Sequence, residues 1–314
     1  MAGEEKKYVV EILLPEQEIA RDLAQAFRSR FLDERFFYWL PSSVQAWVEL
    51  CSAAEYRNAN RALKLLEEAA PSLAQRWPEM KALCGVGCGE GSKDRVLLDA
   101  YAARGSRLAY IAADFSQALI ELAMESAAPA ASALRGVKLD VMRDQHLQAL
   151  VSGRGPCIYS VLGNTLGAFD PDEFPARLRR VLDPADHVLF DGELFAGEET
   201  LRGYDNPANR RFAFAPLAGL GLSEKDGELR FELAAGADGL REVSKHFVAR
   251  RGLELKIGGV QIAVAAGEKV RMSSSIKYTD ESVLRSRIEA GGFHVEQVWK
   301  SPDGNFVLAA AAPR

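Results

Sequence analysis

The stretch Ala82-Leu83-Cys84-Gly85-Val86-Gly87-Cys88-Gly89-Glu90-Gly91-Ser92-Lys93 sets glycines at alternate positions between a short apolar run and a segment with helical apolar spacing, Arg95-Val96-Leu97-Leu98-Asp99-Ala100-Tyr101. This order reads as a strand, a glycine turn and a helix start. Glycine suits such a turn because it tolerates unusual backbone angles and lets a ligand approach the main chain without an intervening Cβ. The dinucleotide fingerprint G-x-G-x-x-G needs Gly or Ala at its sixth place, which is Glu90 counted from Gly85 and Ser92 counted from Gly87. Neither frame fits, and Gly85-x-Gly87-x-Gly89 remains. Two carboxylates follow later predicted strands, Asp114 after 107–113 and Asp140 after 136–139. In an open α/β sheet ligands lie beyond the carboxyl ends of the strands, where both would stand.

The elements that must position these residues alternate from Lys81 onward. Predicted strands at 82–84, 107–113, 136–139, 157–162 and 187–191 are separated by helices, which implies a parallel sheet with crossover connections. Ser116 is expected to cap the helix through Met124. Before this core lie an extended apolar stretch at 8–14, an amphipathic helix from Pro15 to about Phe31, the aromatic run Phe36-Phe37-Tyr38-Trp39 and two further helices. After Asp191 the alternation stops. Short strand-like runs at 229–233, 243–249, 253–257 and 260–264, punctuated by turns such as Gly258-Gly259, predict an antiparallel insertion. A helix at 279–290 and a hairpin of 294–300 with 305–311 then close the chain.

The 314 residues are 48% hydrophobic and 26% charged, as in an ordinary globular protein. A net charge of -5 offers no general attraction to phosphate backbones, so a small molecule is the expected partner rather than nucleic acid. The charged start Met1-Ala2-Gly3-Glu4-Glu5-Lys6-Lys7 does not read as a signal peptide, and no segment reads as a membrane span. The expectation is a cytoplasmic protein that binds no membrane. Cys51, Cys84, Cys88 and Cys157, with His146, His187, His246 and His294, show no metal-type spacing, so no metal is expected.

The glycine spacing resembles motif I of class I S-adenosylmethionine-dependent methyltransferases, and the terminal antiparallel hairpin suits their Rossmann-like, seven-stranded α/β sheet. With that cofactor, Gly85, Gly87 and Gly89 would lie under its methionine part. Asp114, with Phe115 beside it, would take the ribose hydroxyls, and Asp140 the adenine amino group with Val141 packed nearby. The chain as a whole resembles the histidine Nα-methyltransferase family of the ergothioneine pathway. The likeness rests on Phe37-Tyr38, Glu55-Tyr56, Gly85-Val86-Gly87, Asp114, Asp140, Leu162-Gly163-Asn164-Thr165-Leu166-Gly167, Gly203-Tyr204-Asp205-Asn206, and Gly267-Glu268 through Ser275-Ile276-Lys277-Tyr278-Thr279.

The resemblance implies cofactor contacts from Tyr38, Gly85, Asp114, Asp140 and Val141, and an amino-acid pocket lined by Tyr56 and Tyr204. It implies a cofactor domain of 62–197 and 277–314, with 1–61 and 198–276 forming a second, α+β substrate domain. Three departures stand out. The family's glutamate that contacts the histidine imidazole falls at Ser273, while its partner serine is kept as Ser275; the family's asparagine falls at Ala168, with Asn164 four residues earlier; the acid two places before the first glycine is Leu83. The expectation is an S-adenosylmethionine-dependent N-methyltransferase acting on the amine of an amino acid or related small molecule other than histidine. Tyr56 would orient the amine, and Asn164, Thr165, Tyr204, Ser273 and Ser275 would bind the acceptor. The alternatives are a histidine Nα-methyltransferase and a cofactor-binding protein without transferase activity.

Overall fold

The computed structural model describes residues 8–53, 56–151 and 155–314. The charged start 1–7 and Glu55 lie outside the described residues. Strand β1 (Val10–Ile12) precedes α1 (Glu16–Arg28), a 3-10 turn (Glu34–Tyr38), α2 (Pro41–Ser52) and α3 (Arg57–Arg76). The alternating core is β2 (Ala82–Val86), α4 (Ser92–Ala103), β3 (Ala109–Asp114), α5 (Gln117–Ala127), β4 (Ala133–Lys138), α6 (Asp144–Val151), β5 (Cys157–Val161), α7 (Glu173–Arg179) and β6 (His187–Glu193). Then come α8 (Glu198–Tyr204), α9 (Pro207–Gly219), β7 (Gly227–Ala235), β8 (Leu240–Ala249), β9 (Leu253–Ile257), β10 (Val260–Val264) and β11 (Lys269–Tyr278). The chain closes with α10 (Glu281–Ala290), β12 (Phe293–Lys300) and β13 (Phe306–Pro313).

The described chain folds into two compact units. The first contains the residues up to Leu13 together with Asn58–Glu193 and Leu284–Arg314; the second contains Leu14–Arg57 and Leu194–Val283. The first unit is built on a sheet ordered β1-β4-β3-β2-β5-β6-β13-β12. Its strands are parallel except for β13, which runs antiparallel to both β6 and β12. Strands buried on both faces need near-continuous apolar sequence, and β2 and β5 are buried along their whole length. Leu66, Leu73, Leu98, Ile120 and Met124 from the covering helices, with Trp77 just after α3, share one core with Leu83, Tyr110, Ile158 and Leu189 from the strands.

This sheet has eight strands, one more than expected from the sequence. Val10, Glu11 and Ile12 pair in parallel with Gly136, Val137 and Lys138 and cover the row of backbone groups that β4 would otherwise expose. Residues 8–13 therefore belong with the sheet and not, as 1–61 implied, with the second unit. The other junctions fall at Arg57/Asn58, Glu193/Leu194 and Val283/Leu284 rather than at 61/62, 197/198 and 276/277.

The second unit holds two separate antiparallel sheets, β11-β8-β7 and β10-β9. The Gly258-Gly259 turn takes positive φ angles of 56° and 83° as a two-residue hairpin requires, and Gly258 lies close enough to α1 that a Cβ would meet the Ala20 carbonyl oxygen at 3.2 Å. Asn206 caps α9, its Oδ1 accepting the Asn209 N–H at 3.0 Å, while Pro207 occupies the first helical position.

Candidate functional site

In the first unit the order of strands changes direction between β2 and its neighbours β3 and β5, and the glycine loop leaves the carboxyl end of β2 at that point. Gly87, Gly89 and Gly91 adopt φ of 69°, 55° and 80°, the left-handed region that costs an L side chain energy. The loop hangs from the end of β3: the N–H groups of Gly87 and Cys88 both donate to the Ala113 carbonyl, at 2.9 and 3.2 Å. Asp114, buried at the tip of that strand, accepts the Gly89 N–H on Oδ2 at 3.1 Å and the Ser116 N–H on Oδ1 at 2.9 Å. Burial pushes its carboxyl up to about 6, against the backbone hydrogen bonds that favour the ionised form.

Gly85 has a different reason to be glycine. It lies inside β2, and a Cβ there would meet Asp94 Oδ2 at 2.2 Å. Asp94 is buried in the first turn of α4, where it accepts the Tyr110 hydroxyl at 2.6 Å and the Ser160 hydroxyl at 2.5 Å. Burial raises its carboxyl to about 6. Gly85 thus makes room for a buried acid beneath the loop, whereas the sequence reading placed it under the ligand. The signal that could have found Asp94 is its place in the turn after the glycines, where a carboxylate suits a helix N-terminus.

Gly87 is covered by Thr165, whose Cγ2 would lie 3.2 Å from a Cβ at that position. Thr165 follows Asn164, a non-glycine residue at φ 63°. The Asp191 carboxylate holds this turn, accepting the Gly163 N–H at 2.6 Å and the Asn164 N–H at 2.7 Å. Asn164 Oδ1 in turn accepts the Glu193 N–H at 3.2 Å. Asp191, also raised to about 6 by burial, went unassigned in the sequence reading although it ends a predicted strand like Asp114. Asp140 lies just past β4, where its Oδ1 accepts the Met142 N–H at 2.9 Å and its own N–H donates to His146 Nδ1 at 3.0 Å. Phe115 is buried beside Asp114, and Val141 is partly exposed.

The second unit gathers the predicted aromatic residues. Trp47 stands between Tyr38 and Tyr56, with ring centroids at 5.3 and 5.7 Å, and Phe212 packs on Tyr38, Trp47 and Phe37 at 5.6, 5.4 and 5.5 Å. Ser273, Ser275 and Lys277 are buried at alternate positions of β11, so they share one face. Lys277 Nζ donates to Ser275 Oγ at 2.6 Å and lies 4.7 Å from the Tyr204 ring centroid. Directly across from Ser273 in the β11–β8 ladder is Lys245. Its ammonium lies 5.2 Å from the centroid of Phe37, 5.4 Å from Phe212 and 6.0 Å from Tyr204. Burial lowers the Lys245 pKa, Glu34 opposes that shift and Lys277 adds to it.

Lys245 was missed in the sequence reading. Its signal is period two: Val243, Lys245 and Phe247 share one face of a strand, with a charge in the middle of an apolar row. Among the described residues no three His, Cys, Asp or Glu side chains form a group that could hold a metal, and no helix is long and apolar enough to cross a membrane.

The family of S-adenosylmethionine-dependent, histidine-specific methyltransferases matches residues 16–313. The chain belongs to this family. It is 24% identical over 293 residues to a histidine N-alpha-methyltransferase of Mycobacterium tuberculosis, covering 87% of this chain and 83% of that protein. It is also 24% identical over 280 residues to an N-methyltransferase of Aspergillus fumigatus, covering 85% and 76%. Among solved structures it is similar to an S-adenosylmethionine-dependent methyltransferase from Clostridium acetobutylicum, with 11% identity, 82% of this chain and 96% of that chain covered, and a TM-score of 0.44. The protein is an S-adenosylmethionine-dependent N-methyltransferase. The residues of its first unit fit the cofactor: left-handed glycines keep side chains off the loop, and a buried strand-end carboxylate suits the hydroxyl donors of a ribose.

Proposed function

We propose that the protein methylates the amine of an amino acid or related small molecule other than histidine. The observation that carries this reading is the face shared by Ser273 and Ser275, which holds buried Lys245 and Lys277. A free histidine side chain, partly protonated near neutrality, would meet the Lys245 ammonium there, and neither Ser273 nor Ser275 offers it a carboxylate. A site built around hydrogen bonds to one side chain rejects another strongly when its own polar groups are left unmatched. Histidine is the second reading, favoured by the name of the relative from Mycobacterium tuberculosis.

In this proposal the first unit binds the cofactor and the second binds the acceptor. Asp114 takes the ribose hydroxyls, Asp140 and Val141 the adenine, and Gly87 and Gly89 let the methionine part approach the main chain. The bound cofactor supplies a methyl group already activated by its sulfonium charge. The chain's own work is to hold an unprotonated amine in line at near-attack distance. Tyr56 orients that amine through its hydroxyl, and Tyr204 lines the acceptor's surroundings. Incubation with methyl-labelled cofactor and a panel of amino acids and amines tests the reading. Histidine as the best acceptor refutes the substrate claim, and no labelled product from any amine refutes the assigned chemistry.

A further inference from the structure

Lys245 is 3% exposed and sits in a box of Phe37, Phe212 and Tyr204 rings. Among the described residues it forms no hydrogen bond and no ion pair; Glu34 acts on it only at longer range. A buried charge without a hydrogen-bonded counter-charge is costly, and aromatic faces compensate only a small part of that cost. Beside it, Lys277 brings a second cation within 4.7 Å of the same Tyr204 ring, and the two lysines repel each other. The Ser273 hydroxyl on this face can donate to an anion as well. Lys245 thus sets one ammonium without a hydrogen-bonded partner among apolar rings, on the strand position directly opposite Ser273. An anion bound to that ammonium would relieve the cost of burying it.

We propose that the acceptor is an acidic amino acid, whose side-chain carboxylate seats on Lys245 with the Ser273 hydroxyl adding a hydrogen bond. The assignment of the side-chain carboxylate, rather than the α-carboxylate, rests on the proposed function, in which Ser273 and Ser275 face the acceptor's side chain. The carboxylate gains charge-assisted bonds that a neutral amide of the same shape cannot make. Reach then selects among aspartate, glutamate and 2-aminoadipate.

The test uses the full chain with S-adenosylhomocysteine bound, and measures binding of each acidic amino acid, L-glutamine, the α-amide of glutamate and L-histidine by calorimetry. The same panel is then assayed for methylation with S-adenosylmethionine. The expected result is that the best acid binds about 10- to 100-fold more tightly than its side-chain amide, the range of one charge-assisted hydrogen bond. Lys245→Met, which keeps the apolar contacts, should collapse that preference to within about threefold, while Lys245→Arg should retain most of it. Equal binding of glutamate and glutamine, or an acid preference that survives Lys245→Met, overturns the proposal. Loss of affinity with the α-amide but not with glutamine also overturns it, because the lysine would then hold the α-carboxylate. Acid-selective binding without methyl transfer to any amine keeps the carboxylate seat on Lys245 but overturns the acceptor role together with the proposed function. Methylation of neutral amines with no acid preference overturns the carboxylate seat and keeps the proposed function.

Discussion

Asp114 is the residue at which the proposed cofactor site can be tested most sharply. Its Oδ2 accepts the Gly89 N–H at 3.1 Å and the weak Cys88 thiol at 4.0 Å, and its Oδ1 the Ser116 N–H at 2.9 Å, so a pair of ribose hydroxyls would add to these bonds and displace the thiol. Hydrogen bonds to an ionised group contribute roughly 1.5–3 kcal/mol each, so removing two costs about 3–6 kcal/mol, or about 10²- to 10⁴-fold in affinity. Asp114→Ala should fall in that range and also release Gly89 from the strand end. Asp114→Asn keeps the shape and one acceptor oxygen, so it should lose about one such bond, roughly 10- to 100-fold. The assay is calorimetric titration with S-adenosylhomocysteine at pH 7.5, beside thermal unfolding of each variant. A 2′-deoxy analogue adds a double-mutant cycle: Asp114→Asn should cost it much less than it costs the parent ligand. Unchanged affinity in Asp114→Asn, or a cycle with fully additive losses, refutes the ribose assignment.

The Asp114 carboxyl is raised to about 6 in the free protein, and hydroxyl donors favour its ionised form, so S-adenosylhomocysteine affinity should be level above pH 7 and fall by up to about tenfold per unit below pH 6. Asp114→Asn should flatten that profile, as titrations from pH 5 to 8 would show. The same raised pKa has the opposite sign for folding: the Asp114 contribution to stability is fully present below the ordinary carboxylate value and is lost as pH rises through about 6. Gly85→Ala should destabilise the first unit by about 1–3 kcal/mol because its Cβ would drive into the Asp94 carboxylate at 2.2 Å; an unchanged unfolding midpoint in urea would refute the packing argument. Gly91→Ala should be at least as damaging, since it combines φ of 80° with a Cβ only 2.7 Å from Ala123 Cα.

The parallel core was legible because its signals are local. Apolar runs ended in Gly85-Val86-Gly87, Asp114 and Asp140, and each marks the carboxyl end or exit of a strand in the structure. Strand β1 was not legible as part of the sheet, because three residues carry no reliable period and their pairing partner Gly136–Lys138 is more than a hundred residues away. Asp94 and Asp191 were passed over for a related reason. Their importance arises from what folding brings to them: Tyr110 and Ser160 for Asp94, and the Gly163-Asn164 turn for Asp191. Lys245 shows the limit most clearly. A strand lysine usually points to solvent, and only the β8–β11 register reveals that this one faces Ser273 from inside a ring of aromatics.

That register changes how histidine recognition could be restored. Read from sequence alone, Ser273→Glu with Ala168→Asn would replace the missing carboxylate and amide. In the structure, position 273 lies directly opposite Lys245, and opposed positions place Cβ atoms about 4.5–5.5 Å apart, within reach of a Glu–Lys ion pair. A carboxylate introduced by Ser273→Glu would therefore be consumed by Lys245 before any imidazole reached it. The protein should become more stable, because a buried unpaired cation gains a counter-charge, yet gain no more than about threefold for histidine. Adding Lys245→Met frees the carboxylate and removes the repulsion of an imidazolium, so Ser273→Glu with Lys245→Met should raise kcat/KM for histidine by about 10-fold or more over Ser273→Glu alone. The two substitutions are coupled, so their effects should be strongly non-additive. Equal gains for histidine with and without Lys245→Met would show that Lys245 does not govern the charge of this pocket.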